Sequence, residues 1–500
     1  MTIRTTSFVR GLGAGYLATG INIVYTAVTV PLALHYLGKD QFGLWSLAQQ
    51  ILGYLFLLDL GVTSAVSRFI ADHKDDVNGG DYGRMLLTGG IVFALQGILI
   101  VSVGLVFSIF APAFFAIPTP LARDFTNVLM LITSLSGFSV FCRSLSAPLW
   151  AFHRIDFSYL MGSVSLILGV VTLWLGFHFN LGIYSLAISG IPGAFLSPIM
   201  AFYFCKKNGF YPSAKSGWQM PTWPDIRRVF AFGKDAALMS LGSQMVNASQ
   251  IMIISRFVGL DAAATFSVGT KLYSLGQQLV AKVIGTAAPA LTELFVRGEM
   301  SKFKDRFFDV VSITTFLATL FASVLVCANS AVVSIWTSGM MSWSRWADAL
   351  LGCLLVATCV SRCLTELFVF RGDLRSVRHI SLLEGLLVIA FGIPAALKFG
   401  LIGLLFTSFF VHVFITLHFS LRAAIRTANQ TTPFVQQILK SFLILFVIFV
   451  FSVKWVGCRP ENIRAVFSAL LLVSVGSAFA WHFILHHSLR HEARRRVGLY

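Results

Sequence analysis

The stretch MLLTGGIVFALQGILIVSVGLVFSIFA, residues 85–111, shows what kind of protein this is. It carries no charged residue, and as an α-helix rising about 1.5 Å per residue it would be about 40 Å long, enough to cross the ~30 Å hydrocarbon core of a bilayer. Comparable apolar runs recur from one end of the 500-residue chain to the other. A soluble protein of this length needs far more polar residues at its surface, so the sequence predicts an all-α polytopic membrane protein.

The composition narrows the class of protein further. Hydrophobic residues make up 56% of the chain, charged residues only 12%, and the net charge is +17. In a soluble protein this charge would indicate a nucleic-acid partner, but in a membrane protein Lys and Arg collect in cytoplasmic loops, so we expect membrane lipids and no nucleic acid as partners. The seven cysteines are scattered and predict neither a disulfide framework nor a zinc site. No Walker motif is present, so ATP is not expected to drive this chain.

Loop charges predict the number and orientation of the spans. Breaks at glycine, proline and charged residues divide the chain into fourteen candidate membrane helices: 11–36, 42–68, 85–111, 125–150, 157–178, 181–204, 230–255, 262–290, 307–337, 346–370, 379–397, 400–421, 441–457 and 465–487. Of the 38 Lys and Arg residues, 25 fall in the N-terminal segment, every second loop and the C-terminal tail, and 8 in the other loops. This asymmetry predicts a multi-pass protein with both termini in the cytoplasm.

Two pairs of segments indicate an internal duplication. YLGKDQFGLWS at 36–46 is similar to FVGLDAAATFS at 257–267, and FCRSLSAPLWAFHR at 141–154 is similar to VSRCLTELFVFR at 360–371. The second pair places Arg143 and Arg362 inside apolar runs 219 residues apart, close to the 221-residue offset of the first pair. Because six helices separate the copies, both copies begin on the same side of the membrane, which predicts parallel repeats related by an axis along the membrane normal.

The duplication predicts the domain organisation. Two six-helix lobes would enclose a central substrate path, as in transporters built from repeats. We expect an N-lobe of helices 1–6 at 1–204, a cytoplasmic connector at 205–229, a C-lobe of helices 7–12 at 230–421, and helices 13–14 with a basic cytoplasmic tail at 422–500.

Four motifs resemble one family over essentially the whole chain. They are PLALHYLGKDQFGLWS at 31–46, LDLGVTSAVSRFI at 58–70, DIRRVFAFGKD at 225–235 and TFSVGTKLYSL at 265–275. They resemble the polysaccharide transport family, the bacterial O-antigen and exopolysaccharide flippases of the multidrug/oligosaccharidyl-lipid/polysaccharide (MATE-like) superfamily. The resemblance implies a protein of the bacterial inner membrane. It would move undecaprenyl-diphosphate-linked oligosaccharide from the cytoplasmic to the periplasmic leaflet by alternating access, beside glycosyltransferases and a polysaccharide polymerase.

Cations within the predicted spans are the candidate substrate-binding residues. Each costs roughly 2.5–3.5 kcal/mol on insertion scales, so such residues normally face a cavity or a partner. An anionic substrate, either the lipid diphosphate or an acidic sugar, would explain their number, and the planar fork of arginine suits both groups. The predicted cavity residues are Arg143, Arg362, Lys271 and Lys282. The alternatives are internal ion pairs and, for Arg143, a side chain that extends to the interface.

Carboxylates within the spans are candidates for coupling transport to an ion gradient. They are Asp59, Glu366 and Glu384. Glu366 is preferred because it stands four residues from Arg362 on one helix face, where substrate binding to the arginine would release it; the same spacing equally fits a structural pair. We expect no cofactor and no metal centre, and coupling to either a proton or a sodium gradient.

Three other functions compete with a flippase. A multidrug antiporter of the same superfamily is the nearest, but such proteins usually have twelve helices and bind cations. A membrane glycosyltransferase, polymerase or ligase would need a sizeable external loop with catalytic residues, whereas the predicted external loops are short and hold no carboxylate pair. A structural scaffold has little reason to bear charges within its spans. The sequence therefore favours a transporter over an enzyme.

Overall fold

The computed structural model describes residues 3–59, 61–152, 154–213, 217–428, 432–455, 473–474, 476–481 and 484. Helices dominate this part of the chain, and no β-strand occurs within it. The chain divides into two compact units, Met1–Gln244 and Met245–Tyr500, which we call unit 1 and unit 2. Each unit is described by itself.

Unit 1 is built from long helices joined by short breaks. Its helices are α1 (Ile3–Leu55), α2 (Val62–Asp72), α3 (Asp81–Phe114), α4 (Thr119–Phe141), α5 (Arg143–Ala151), α6 (Ile155–His178), α7 (Tyr184–Ile188), α8 (Ile191–Lys207) and most of α9 (Trp223–Phe257). A 3₁₀ turn, Phe56–Asp59, separates α1 from α2. A single residue, Cys142, separates α4 from α5.

Unit 2 is also built from long helices joined by short breaks. Its helices after α9 are α10 (Leu260–Gly269), α11 (Lys271–Val296), α12 (Met300–Trp336), α13 (Arg345–Phe370), α14 (Leu374–His412), α15 (His418–Ala428) and α16 (Thr432–Trp455). A five-residue π-helix, Val413–Leu417, lies between α14 and α15. One residue, Thr270, separates α10 from α11.

The helices confirm the prediction of an all-α polytopic membrane protein. Ten helical stretches of the described chain are long and apolar enough to cross a membrane. Two of these stretches each consist of two helices that meet at a glycine with non-helical torsion angles. They are Gly13–Asp59, with the break at Gly38 (φ 71°), and Leu374–Arg426, with the break at Gly400 (φ 59°). Each predicted span before residue 456 thus coincides with a helix or with helices joined by a break. The span predicted at 465–487 lies largely outside the described residues.

Backbone torsion angles repeat between the two units. Left-handed φ values favour glycine and mark the places where one helix ends and the next begins. Four pairs of such residues lie 218 to 222 positions apart: Gly38 with Gly259, Gly80 with Gly298, Ala116 with Ser338, and Gly182 with Gly400. Gly38 and Gly259, the first pair, are the glycines of the similar segments YLGKD and FVGLD. The duplication therefore extends from the sequence to the positions of the helix breaks.

Small residues allow the helices to approach closely. In unit 1 a Cβ atom at Gly97 of α3 would lie 2.6 Å from the carbonyl oxygen of Gly137 of α4. In unit 2 a Cβ atom at Gly352 of α13 would lie 2.7 Å from a methyl group of Val326 of α12. Close backbone approach at small residues is the usual packing of membrane helices, because lipid offers no hydrophobic drive for association.

The outer surface is apolar, as expected in contact with lipid. Ile109 and Phe110 of α3 are each 63% exposed, and Phe446 of α16 is 64% exposed. A water-soluble protein rarely exposes contiguous apolar surface of this kind. These side chains face outward because hydrocarbon, unlike water, solvates them.

The segment between α8 and α9 is held firmly against unit 1. The Tyr82 hydroxyl donates to the Phe210 carbonyl at 2.8 Å, and the Tyr211 hydroxyl donates to the Leu145 carbonyl at 2.8 Å. The ring of Phe210 stacks on Phe152 with centroids 4.2 Å apart. Phe210 and Tyr211 of the predicted connector thus pack against unit 1.

Candidate functional site

Arg143 lies at a helix break in unit 1. The helix that contains the predicted fourth span is interrupted at Cys142, and Arg143 begins α5. Its Nη1 atom lies 3.2 Å from Oδ1 of Asp59 and donates to Oγ1 of Thr63 at 3.1 Å. The guanidinium carbon lies 5.8 Å from the centroid of the Phe56 ring. The arginine is thereby fixed in orientation within the membrane-spanning part of the chain.

Asp59 lies at a second break, at the end of the 3₁₀ turn between α1 and α2. Thr63 donates from its hydroxyl to Oδ1 of Asp59 at 2.7 Å, and Gln96 of α3 donates to the Asp59 carbonyl at 2.6 Å. The side chains of Arg143 and Asp59 keep 35% and 24% of their surface exposed. The structure therefore pairs Arg143, a predicted substrate contact, with Asp59, a predicted coupling carboxylate.

Arg362 and Glu366 lie on α13 of unit 2. Arg362 is exposed and Glu366 is half-buried. Although they are one helical turn apart, no salt bridge joins their side chains, and the guanidinium of Arg362 has no hydrogen-bond partner within the described part of the chain. The alternative of a structural i,i+4 salt bridge between them is therefore not formed in this structure.

The two candidate lysines lie far apart on α11. Lys271 is half-buried and begins the helix directly after the Thr270 break. Lys282 is also half-buried and lies eleven residues further on, about 16 Å along the helix axis. A larger ligand with more than one anionic group would suit two ammonium groups whose helix positions are this far apart.

Glu384 is the centre of a buried polar cluster in unit 2. The residue is 7% exposed, and its Oε1 lies 2.8 Å from Nδ1 of His412, which is 6% exposed. Its other oxygen accepts a hydrogen bond from the Thr416 hydroxyl. Thr416 lies within the π-helix and His412 directly before it. Such π-bulges inserted in α-helices often mark functional positions.

The cluster continues through hydroxyl and amide groups. His412 Nε2 lies 2.7 Å from the Ser361 hydroxyl of α13, which donates to the Thr358 carbonyl at 3.2 Å. Gln277 of α11 donates to the Thr358 hydroxyl at 2.9 Å and to the Tyr273 hydroxyl at 2.8 Å. The chain of contacts therefore connects three helices and the π-helix.

The geometry of the cluster accommodates more than one protonation state. With a neutral imidazole, Nδ1 donates to Glu384 and Nε2 accepts from the Ser361 hydroxyl. With an imidazolium, both nitrogens donate, and Ser361 turns its proton to the Thr358 carbonyl. In both arrangements the two ring nitrogens of His412 and the Ser361 hydroxyl each keep a hydrogen-bond partner.

His412 was absent from the sequence prediction. The sequence does show a histidine within the apolar run 400–421, and an ionisable residue inside a membrane span is a candidate functional residue.

Asp348, also absent from the prediction, is fully buried at the start of α13. It accepts hydrogen bonds from Asn329, from the Trp343 indole and from the Ser330 backbone amide at 2.6, 2.7 and 3.1 Å. Because these donors satisfy the carboxylate, it anchors the loop before α13.

Sequence relatives place the chain among membrane proteins of polysaccharide synthesis. The family model "Polysaccharide biosynthesis protein" matches residues 8–295. The uncharacterized membrane protein EpsK of Bacillus subtilis (strain 168) is 22% identical over 344 residues, which are 66% of this chain and 65% of that protein. The chain thus spans just under two thirds of the length of this relative.

Solved structures share the fold. The lipid II flippase MurJ, in an inward closed conformation, has a TM-score of 0.69 and 14% identity, covering 96% of this chain and 100% of that chain. An inward-facing multidrug resistance transporter of the MATE family and MOP superfamily has a TM-score of 0.64 and 12% identity, covering 83% of this chain and 94% of that chain. At these identities the likeness concerns the fold. Since the family model covers more than half of the 500 residues, the chain belongs to the polysaccharide biosynthesis protein family.

Proposed function

We propose that this protein is a flippase for undecaprenyl-diphosphate-linked oligosaccharide, an O-antigen or exopolysaccharide repeat unit, from the cytoplasmic to the periplasmic leaflet. The family membership and the transporter fold support a transporter of polysaccharide precursors rather than an enzyme. The inner membrane is its proposed location, and glycosyltransferases and a polymerase are its proposed partners. The observation that carries the proposal is the arrangement of Arg143.

The guanidinium of Arg143 presents an edge suited to a phosphate. Its hydrogen bonds to Asp59 and Thr63 both use Nη1. Nε and Nη2 have no hydrogen-bond partner among the residues that the structure describes. This remaining edge offers two parallel N–H groups, the geometry that binds phosphate and carboxylate oxygens in a bidentate manner. Asp59 and Thr63 then act as positioning residues that hold the fork in place.

Arg362 is proposed as the equivalent contact in the second repeat. It occupies the matching position in the duplicated segment, it is exposed, and its guanidinium has no partner in the described chain. Lys271 and Lys282 are proposed as further contacts for the anionic substrate, on account of their charge within α11. The diphosphate of the carrier and an acidic sugar of the glycan would account for their separation.

Coupling to a proton gradient is proposed for Glu384 with His412. Of the three predicted carboxylates, Asp59 is engaged by Arg143 and Glu366 is half-buried without a salt bridge, whereas Glu384 is buried in a cluster that can accept a proton. A sodium gradient is the alternative, because carboxylate and hydroxyl oxygens also suit a hard cation. Glu366 remains the second candidate.

The function is tested by complementation of a strain that lacks the gene. Surface polysaccharide is scored together with the amount of protein in the membrane. We expect the Arg143→Ala, Arg362→Ala double variant to be present at normal level and to restore less than a tenth of the polysaccharide. The matched control is Arg154→Ala, which removes another half-buried arginine of unit 1, paired with Asp156 at 3.1 Å.

Two outcomes would overturn the proposal. Full restoration by the well-expressed double variant would show that the arginines do not bind the substrate. Proteoliposomes that expel cationic drugs but move no undecaprenyl-diphosphate-linked oligosaccharide would show a multidrug antiporter, the alternative within the same superfamily.

A further inference from the structure

A cavity lined by both polar and apolar groups, with no charged side chain among the described residues, lies within unit 1. It has a volume of about 300 Å³, is partly open, and is bordered by α1, α4, α6, α8 and the short helix α7. Its lining combines two aromatic rings with amide and hydroxyl groups: Tyr25, Trp45, Gln49, Ser136, Ser139 and Ser165. A volume of this size is within the range, ~300–1,000 Å³, of cavities that hold small ligands.

Three polar side chains of the lining have no protein partner. Gln49, Ser136 and Ser139 make no hydrogen bond with any described residue. Their neighbours on α4 behave differently, since Thr133 and Ser134 donate to backbone carbonyls one turn earlier at 2.8 and 2.7 Å. Polar groups in membrane-spanning helices without partners are unfavourable, so these groups require water or a polar ligand.

The charge and polarity of the lining side chains indicate which class of ligand the cavity would bind. None of the described residues that border the cavity is charged, which disfavours a diphosphate or a cation as the ligand. Sugar rings present hydroxyl groups around their edge and C–H groups on their faces. The hydroxyls match Gln49, Ser136 and Ser139, and the C–H face matches an aromatic ring such as Trp45.

The cavity is close to the proposed phosphate contact. Ser139 precedes Arg143 by four residues, which is about 6 Å along a helix axis. In a lipid-linked oligosaccharide the first sugar is bonded directly to the diphosphate. A ligand whose phosphate contacts Arg143 would therefore carry its first sugars to the neighbourhood of this cavity.

We propose that this cavity binds a neutral sugar ring, a hexose or an N-acetylhexosamine, of the transported glycan. The inference rests on the proposed function for the identity of the glycan, but the binding of a sugar can be measured without the lipid carrier. Gly162 of α6 provides a sharp test. A Cβ atom there meets nothing within 4 Å, so a larger side chain can enter the cavity without displacing a neighbour.

The experiment is saturation-transfer difference NMR on the full-length protein in lipid nanodiscs. The probes are the methyl glycosides of glucose, galactose and N-acetylglucosamine. We expect transfer to the ring protons of at least one glycoside, and a reduction of at least fivefold in Gly162→Leu and in Gln49→Leu. The matched control is Gly285→Leu in α11, another glycine whose Cβ would meet nothing within 4 Å, which should leave the signal unchanged.

Each result decides the inference. No transfer from any glycoside to the wild type, or equal transfer in Gly162→Leu, would show that the cavity holds only water. If Gly162→Leu fails to fold, Ser139→Ala compared with Ser134→Ala on the same helix makes the same distinction, because Ser134 already has a carbonyl partner. Sugar binding in a protein that moves no lipid-linked glycan would support the cavity and refute the flippase. Transport without sugar binding would do the reverse.

Discussion

At the scale of single residues, the charged groups of the spans are placed by their neighbours. Arg143 is held by Asp59 and Thr63 at the meeting of two helix breaks, and Glu384 is held by His412 and Thr416 beside a π-helix. In both places a break in the regular helix coincides with an ionisable group. Such groups are tolerated because each has a partner that offsets part of its desolvation.

Replacing Arg143 by lysine should weaken substrate binding. Lysine can still pair with Asp59, but its ammonium group is a point charge and cannot present two parallel N–H groups to a phosphate. Loss of one charge-assisted contact removes about 1.5–3 kcal/mol, so the affinity for undecaprenyl diphosphate should fall roughly 10- to 150-fold. Titration calorimetry on purified protein measures this. Arg154→Lys, at an arginine outside the proposed site, should bind normally, and unchanged affinity in Arg143→Lys would contradict the bidentate contact.

Replacing Glu384 by glutamine should uncouple transport from the proton gradient. The amide keeps the size of the side chain but has no negative charge to stabilise the imidazolium form of His412, so the cluster loses its second protonation state. In proteoliposomes with an imposed pH gradient, we expect transport to become indifferent to the gradient and at least tenfold slower than in the wild type. Glu366→Gln is the matched comparison and should keep the gradient dependence. A Glu384→Gln protein that still responds to the gradient would rule out this carboxylate.

At the scale of elements, short polar motifs determine where helices begin. The start of α9 has one half of a capping box: Oδ2 of Asp225 accepts from the backbone amide of Thr222 at 3.0 Å and from its hydroxyl at 2.7 Å. Nε of Arg84 on α3 lies 3.5 Å from the same oxygen. The motif therefore joins the beginning of α9 to α3 within unit 1.

This contact of Asp225 with Thr222 predicts a pH dependence of stability. Burial opposes ionisation of Asp225, but the Thr222 hydrogen bonds and the charges of Arg84 and Arg228 outweigh it and hold the pKa of Asp225 below its usual range. A lowered pKa in the folded state stabilises the protein above the ordinary aspartate pKa of about 3.9, and this contribution is lost as the pH falls further. Asp225→Asn should lower the stability at pH 7 by about 0.5–2 kcal/mol.

Thermal unfolding in detergent, followed between pH 7 and pH 3, measures the effect. The difference between wild type and Asp225→Asn should shrink as the pH approaches the lower limit. Asp373→Asn at the N-cap of α14, where Ser376 donates to the carboxylate, is a second cap whose pKa is lowered mainly by those hydrogen bonds and should behave similarly. A difference that stays constant over the whole range would contradict the electrostatic origin.

At the scale of the whole molecule, the distribution of charge predicts the topology. The split of 25 to 8 between alternate loop sets places both termini in the cytoplasm. Reporter fusions at Gly209, after α8, and at Tyr500 should both report the cytoplasm. A fusion at Ala116, after α3, should report the periplasm because an odd number of predicted spans precedes it. A periplasmic signal at Gly209 or Tyr500 would overturn the predicted orientation.

The sequence by itself determined the class, the helices and the duplication. Apolar runs predict spans because a bilayer requires every backbone polar group to be bonded within the helix, a condition that each run meets locally. The glycines at 38 and 259 reflect another local preference, because a left-handed torsion angle at the end of a helix favours glycine whatever the surroundings. These features depend on residues near one another in the chain and can be predicted from it.

Only the tertiary structure decided which charged groups have partners. Asp59 and Arg143 are 84 positions apart, and Glu384 and His412 are 28 apart, so nothing local in the sequence indicates either pair. The local pair that helical spacing favoured, Arg362 with Glu366, forms no salt bridge. A buried charge lowers its free energy by pairing with whatever the packing of helices brings within reach, and that packing depends on the shape of many side chains at once.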